Sequence, residues 1–264
     1  MILITKTTNM KNIILNFLAV AMIFVVSSCN KETDYKATQT FPAGNTAYLK
    51  VNYASLHATN PSVQIAINDV RVSSSITGRT PFPGGGFNTS GASLPDYLAV
   101  KAGVNKLSIV GLNRGTQRDS VVMFFTNINL QAGKFYTAHV TDTAARTQAL
   151  LLEDVLGFKD TTSRYRFVNL MPNVPLVDLY YGTTLVSSAI PYLNSSAYFD
   201  LPAPAVALPW SIRETGTPPT STALAVLTEV RTSTRGRIYT AFALGYKGQT
   251  LATTRPYISF LLNQ

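Results

Sequence analysis

Side chains able to do chemistry are few in this chain and widely spaced. It holds one cysteine, two histidines and thirteen carboxylates among 264 residues. A zinc site needs three or four His, Cys or carboxylate ligands at suitable spacing, and neither His57 nor His139 has such a cluster around it. Nucleophilic catalysis needs Ser or Cys beside an activating base. The serines here sit in Ser/Thr-rich runs with no Gly-x-Ser-x-Gly turn around them. Paired carboxylates for glycoside hydrolysis can converge from distant strands, but the acidic residues are scattered through turn-like stretches. Gly84, Gly85 and Gly86 are followed by no Gly-Lys-Ser/Thr, so they do not make a phosphate loop. The expectation is a protein that is not an enzyme, with no metal and no cofactor. The single thiol, Cys29, can form no intramolecular disulfide.

The surroundings of Cys29 give that thiol a purpose. From Ile13 to Val26 the chain is apolar except for Asn16, with Lys11 just upstream and Ser27 and Ser28 leading into the cysteine. A short positive region, an apolar core and a small-residue exit describe a secretory signal. A permanent membrane helix needs about 20 apolar residues, and this run stops short. Met10, directly before Lys11, is a better start than Met1. The tetrad "VSSC" resembles the lipobox of bacterial lipoproteins, which implies cleavage before Cys29 and a diacylglycerol on its sulfur. Each buried methylene contributes about 0.8 kcal/mol, so several acyl chains hold a protein durably on a membrane. The following "NKETDYKATQTFPAGNT" is polar and Thr-rich, as a solvated tether would be. Glu32 and Asp34 near the cysteine resemble an export tag of Bacteroidetes-type lipoproteins, diluted by Lys31 and Lys36. The implied place is the bacterial cell envelope, on the outer membrane and leaning toward surface display.

The rest of the chain reads as two copies of one unit. Without a gap, "PSVQIAINDVRVSS" (61–74) and "PLVDLYYGTTLVSS" (175–188) share the proline, two valines and the closing Ser-Ser. In the same order "YLAVKAG" (97–103) parallels "YFDLPAP" (198–204), and "LSIV" (107–110) parallels "WSIR" (210–213). "GKFYTAHV" (133–140) then parallels "GRIYTAFA" (236–243). The copies run over 46–153 and 162–264, and "QALLLED" aligns with "YISFLLN" as the last strand of each. Their period is two: Val63, Ile65 and Ile67 alternate with Ser62, Gln64 and Ala66. In "RYRFVNL" both faces carry some apolar surface. Short alternating strands separated by Gly, Asn and Pro predict β-sandwiches. "LQAGKFYTAHV" resembles the tyrosine corner of immunoglobulin-like domains, with Tyr136 as its tyrosine and Tyr239 at the matching place in the second copy.

The segment "RFVNLMPNVPLVDLYYGTTLVSSAIPYLNSSAYFDLPA" is similar to the opening of the domain-of-unknown-function family 4397. Arg166, Asn169, Pro172, Pro175, Asp178, Tyr180, Gly182 and Tyr198 fill that family's pattern. The first copy keeps Lys50, Pro61, Val63 and Tyr97, but has Gln64 for the aspartate and Asn68 for the glycine. The resemblance implies an immunoglobulin-like sandwich and no assigned activity. The fold expected is therefore all-β, with two tandem immunoglobulin-like β-sandwich domains. Residues 1–28 are the signal, 29–45 the lipidated tether, 46–156 the first domain and 157–264 the second.

Two places could bind a partner. The first copy carries an insertion at 77–95, whose Phe82 and Phe87 flank Gly84, Gly85 and Gly86 and offer flat apolar faces on a loop. Arg231, Arg235 and Arg237 form a basic group that would suit an acidic glycan or lipid headgroup. His139 aligns with Phe242 and Trp210 with Leu107, so both are packing positions. The formal charge of +9 comes with no nucleic-acid recognition motif. The partners expected are membrane lipid through the acyl anchor and an envelope protein or glycan, with no nucleic acid. The role expected is non-catalytic binding or assembly in the envelope, with carbohydrate capture as the alternative.

Overall fold

The computed structural model describes residues 43–79, 87, 95–111, 121–157, 161–202 and 207–264. Among the described residues there is no α-helix. The first copy supplies β1 (Thr46–Ser55), β2 (Val63–Ile67), β3 (Val70–Arg71), β4 (Leu98–Lys101), β5 (Gly103–Gly111), β6 (Val121–Leu130), β7 (Phe135–Asp142) and β8 (Gln148–Asp154). The second supplies β9 (Thr162–Leu170), β10 (Leu176–Tyr181), β11 (Thr184–Pro191), β12 (Asn194–Ser195), β13 (Phe199–Pro202), β14 (Trp210–Glu214), β15 (Ala225–Leu227), β16 (Ile238–Leu244) and β17 (Tyr257–Leu262).

The two copies repeat one topology. In the first, the sheets run β4-β1-β7-β8 and β3-β2-β5-β6; in the second, β12-β9-β16-β17 and β11-β10-β14-β15, with β13 also on β9. The first strand of each copy lies parallel to the seventh strand or its counterpart, β1 on β7 and β9 on β16. The other ladders are antiparallel. A tandem β-sandwich is thus the fold. The immunoglobulin constant type keeps its first two strands in one sheet, whereas here β1 and β2 lie in opposite sheets.

The registers fix residue equivalence between the copies. Leu49 faces Tyr136 in the first parallel ladder, and Tyr165 faces Tyr239 in the second. Lys50 therefore corresponds to Arg166, and Thr137 to Thr240. Carrying the match into the last strands sets Glu153 against Leu262 and Asp154 against Asn263. The turn after the second strand is kept by different means. Gly182 has φ +60, while Asn68 and Asp69 reach φ 50 and 65, as Asn and Asp tolerate left-handed backbone best after glycine.

Burial is layered. Ala47, Leu49, Val51 and Tyr53 of β1 point into the first sandwich core with Val63, Ile65, Leu107 and Ile109. Tyr165, Phe167, Trp210, Tyr239 and Phe260 form the second core. A third cluster joins Ala54 and Leu56 of the first copy to Val168, Leu170, Phe242, Leu244 and Leu261 of the second. The inner sheets of the copies thus pack face to face, and β1, β9 and β16 are buried on both faces.

Candidate functional site

Between the inner sheets lies a layer rich in polar and charged groups, built from the alternate residues of strands whose other face is apolar. Lys50 and Asn52 come from β1, Thr137 and His139 from β7, and Asp154 from the end of β8. Arg166 comes from β9, Thr240 from β16, and Asn263 directly follows β17. All are buried, and Lys50 is 0% exposed. A charge so placed is costly unless it is paired and hydrogen-bonded.

The pairing follows a local two-fold relation between the copies. The Lys50 amine donates to the carbonyl of Leu262, and Arg166 Nη1 donates to the carbonyl of Glu153 at 2.8 Å; these carbonyls are equivalents. Lys50 lies 4.3 Å from the centre of the Tyr97 ring, and Arg166 lies 5.1 Å from that of Tyr198. Thr137 donates to Asp154 at 2.6 Å, and Thr240 donates to Asn263 at 2.8 Å. His139 faces its own counterpart, Phe242, with ring centres 6.2 Å apart. The join resembles the isologous interface of a symmetric dimer, written into one chain.

One departure from this symmetry changes the charge balance of the layer. Asp154 is an acid where the second copy has the amide Asn263. That carboxylate accepts from Arg166, from Thr137 and from the Tyr97 hydroxyl at 2.8 Å. Asp154 is thus the ion-pair partner of Arg166 and the stronger of two carboxylates acting on Lys50, ahead of Asp96. Burial pulls the Lys50 amine down from 10.5 to about 7, and the nearby Asp154 and Asp96 offset only part of that. Burial, helped by the positive charges of Arg166 and Lys50, lowers His139 from 6.5 to about 3. His139 Nε2 and Asn52 Oδ1 have no hydrogen-bond partner, although Asn52 meets His139 Nδ1 at 3.0 Å. The Tyr97 hydroxyl is pushed well above its usual range, by burial first and Asp154 second, so it stays protonated and donates. A neutral amine is a nucleophile in principle. This one is sealed from solvent, and its effect falls on the join between the copies.

At the rim, Thr253 donates to the Ala58 carbonyl at 2.8 Å, Arg79 to the Thr253 carbonyl at 3.1 Å, and Tyr246 to Asp142. Among the described residues no group of His, Cys, Asp and Glu could hold a metal ion, and no helix is long and apolar enough to cross a membrane.

The residues singled out in the sequence fall elsewhere. Cys29, Phe82, Gly84, Gly85 and Gly86 lie outside the described residues. Phe87 is half-buried against the first core, so its ring is not the open face the sequence suggested. Arg231 turns back onto Glu229, Nε to Oε1 at 3.1 Å. Arg235 is exposed and Arg237 half-buried. Tyr136 accepts from the Gln131 amide at 3.3 Å, and Tyr239 donates to the Arg231 carbonyl at 2.8 Å, each pinning a corner to backbone upstream. Trp210 is core and donates to Thr232 at 2.9 Å. Sequence reasoning gave the charged layer no role. Its signal was a lysine and an arginine at matching places in two strands, the second of which is partly apolar on both faces.

Two sandwiches of one topology, joined by a buried charged layer, define a duplicated all-β module. The profile of the domain of unknown function DUF4397 matches residues 47–180 and again 163–256, and the chain belongs to that family. No curated protein matches it. Among solved structures, the fimbrial anchor protein Mfa2 from Porphyromonas gingivalis aligns over 83% of this chain and 99% of its own, at 11% identity and a TM-score of 0.23. A superposition that loose carries no argument about role.

Proposed function

We propose that the protein is a non-catalytic lipoprotein of the bacterial envelope, held on the outer membrane by acyl chains at Cys29 and acting in binding or assembly. The observation that carries the binding half is the fate of the buried titratable groups. Lys50, Asp154, Arg166 and His139 are consumed in joining the copies, which leaves the outer sheets and loops to meet partners. The anchoring half rests on the apolar run and "VSSC". Cell fractionation with labelled fatty acid tests it. Wild type should carry label and sediment with membranes, whereas Cys29→Ala should lose the label and become soluble. A Cys29→Ala protein that stays in the membrane fraction would refute lipid anchoring.

A further inference from the structure

Strand β6 is the last strand of its sheet and, among the described residues, pairs only with β5. Its ten residues, "VVMFFTNINL", include no charge. Val121 is 64% exposed and Phe125 62%, with Val122 and Met123 also in solvent. Natural edge strands are normally blunted by shortness, lysine or proline, and β6 has none of these. The second copy is the internal control. There the equivalent strand, β15, spans only Ala225–Leu227. The sandwich therefore does not need a long strand here; the first copy alone has one.

A small cleft opens beside this edge, between the two sheets of the first copy. Met123 and Phe124 of β6 line it with Tyr53, Ser55, His57, Thr143 and Thr147. His57 Nδ1 meets the Thr59 hydroxyl at 2.9 Å and the Thr59 amide at 3.4 Å. Asp142 and Ala144, at φ 66 and 51, hold the turn on the far rim in left-handed backbone, a conformation that costs energy outside glycine.

We propose that the free edge of β6 and this cleft together dock an extended, apolar, neutral-to-acidic segment of a partner protein, which adds a strand to the sheet and inserts one side chain between the sheets. The chemistry selects that occupant. A row of unpaired amides and carbonyls is satisfied by another backbone, and pockets beside the edge read alternate side chains. A lipid surface offers no matching row of donors. A second copy would bring together two bodies of like charge, each +7 once Lys6 and Lys11 leave with the signal (20 − 13). A chain this basic favours a segment without positive charge.

The inference deepens the binding role above and is independent of the lipid anchor. The test is selection of a displayed random-peptide library on the full chain carrying Cys29→Ala. Enriched peptides should alternate apolar residues and lack lysine and arginine. Their affinity should fall at least about tenfold on Phe125→Lys or Val121→Lys, since edge charge blocks strand addition. It should be unchanged by Leu185→Lys, an exposed position of the second copy. No enrichment, or equal binding to the charged variants, would overturn the proposal. So would a dimer of the unselected protein that Phe125→Lys dissolves, because the edge would then belong to a second copy. Enrichment at another surface would sink this site while leaving the binding role standing.

Discussion

Lys50, Arg166 and Asp154 make a buried set with two positive groups and one close acid, and the consequences of removing each differ. Asp154→Asn gives the first copy the amide of the second, leaves Arg166 without its ion-pair partner and leaves Lys50 with Asp96 alone; breaking such a set costs about 3–5 kcal/mol, read from the urea midpoint. Lys50→Met removes the surplus cation while Arg166 keeps its partner, so its cost should be under about 1.5 kcal/mol. Equal losses for the two variants would mean that charge balance does not govern the layer. The amine also fixes a pH dependence. Folded Lys50 titrates near 7 and the unfolded chain near 10.5, so between those values the unfolded state binds the extra proton. Stability should therefore climb from pH 7 toward pH 9, and the climb should be weaker in Lys50→Met. His139 acts at the acid end. Its folded value of about 3 lies below the unfolded 6.5, so its contribution is present above 6.5 and is lost as pH falls toward 3. His139→Phe, which copies Phe242, should be neutral or stabilising at pH 7 and should flatten that acid loss.

Single strands and turns show how much was legible in the sequence. The duplication and the period-two strands were readable because apolar alternation and ordered matches survive divergence. The second burial of the inner sheets was hidden. On β1 and β7 the residues opposite the core are Lys50, Asn52, Thr137, His139 and Thr141, a polar row that reads as the solvent face of an antiparallel sheet. Only "RYRFVNL", partly apolar on both faces, carried a sign of that second burial. The candidate binding residues were less legible still, because Phe87 and Arg231 owe their contacts to packing and to a neighbouring Glu229. At the turn scale, Gly245 has φ +107, and a Cβ there would lie 2.2 Å from the Arg255 carbonyl oxygen. The loop after β16 folds back on itself at that point. Gly245→Ala should therefore lower stability by several kcal/mol. Gly248→Ala, at φ +88 with open space around it, should cost about 1–2 kcal/mol for its backbone alone. Thermal melts of the two variants separate crowding from backbone strain.

For the molecule as a whole, the shared layer decides whether two sandwiches behave as two domains or as one. Each copy has a complete core of its own, which favours independent unfolding. Against that, opening one copy would expose Val168, Leu170 and Phe242 or their partners Ala54 and Leu56, and would strand Arg166 or Asp154 without its mate. A buried ion left alone costs several kcal/mol, and the apolar face adds about 25 cal/mol for each Å² uncovered. Together these are comparable with the whole stability of a small domain, so the join should dominate. Calorimetry should show one transition for both copies, with calorimetric and van't Hoff enthalpies in agreement. Asp154→Asn should move that transition as a unit. In native-state hydrogen exchange, the amides of β1, β7, β9 and β16 should open only with global unfolding. Two resolved transitions in the wild type, or slow exchange confined to one copy, would show that the charged layer aligns the sandwiches without coupling them.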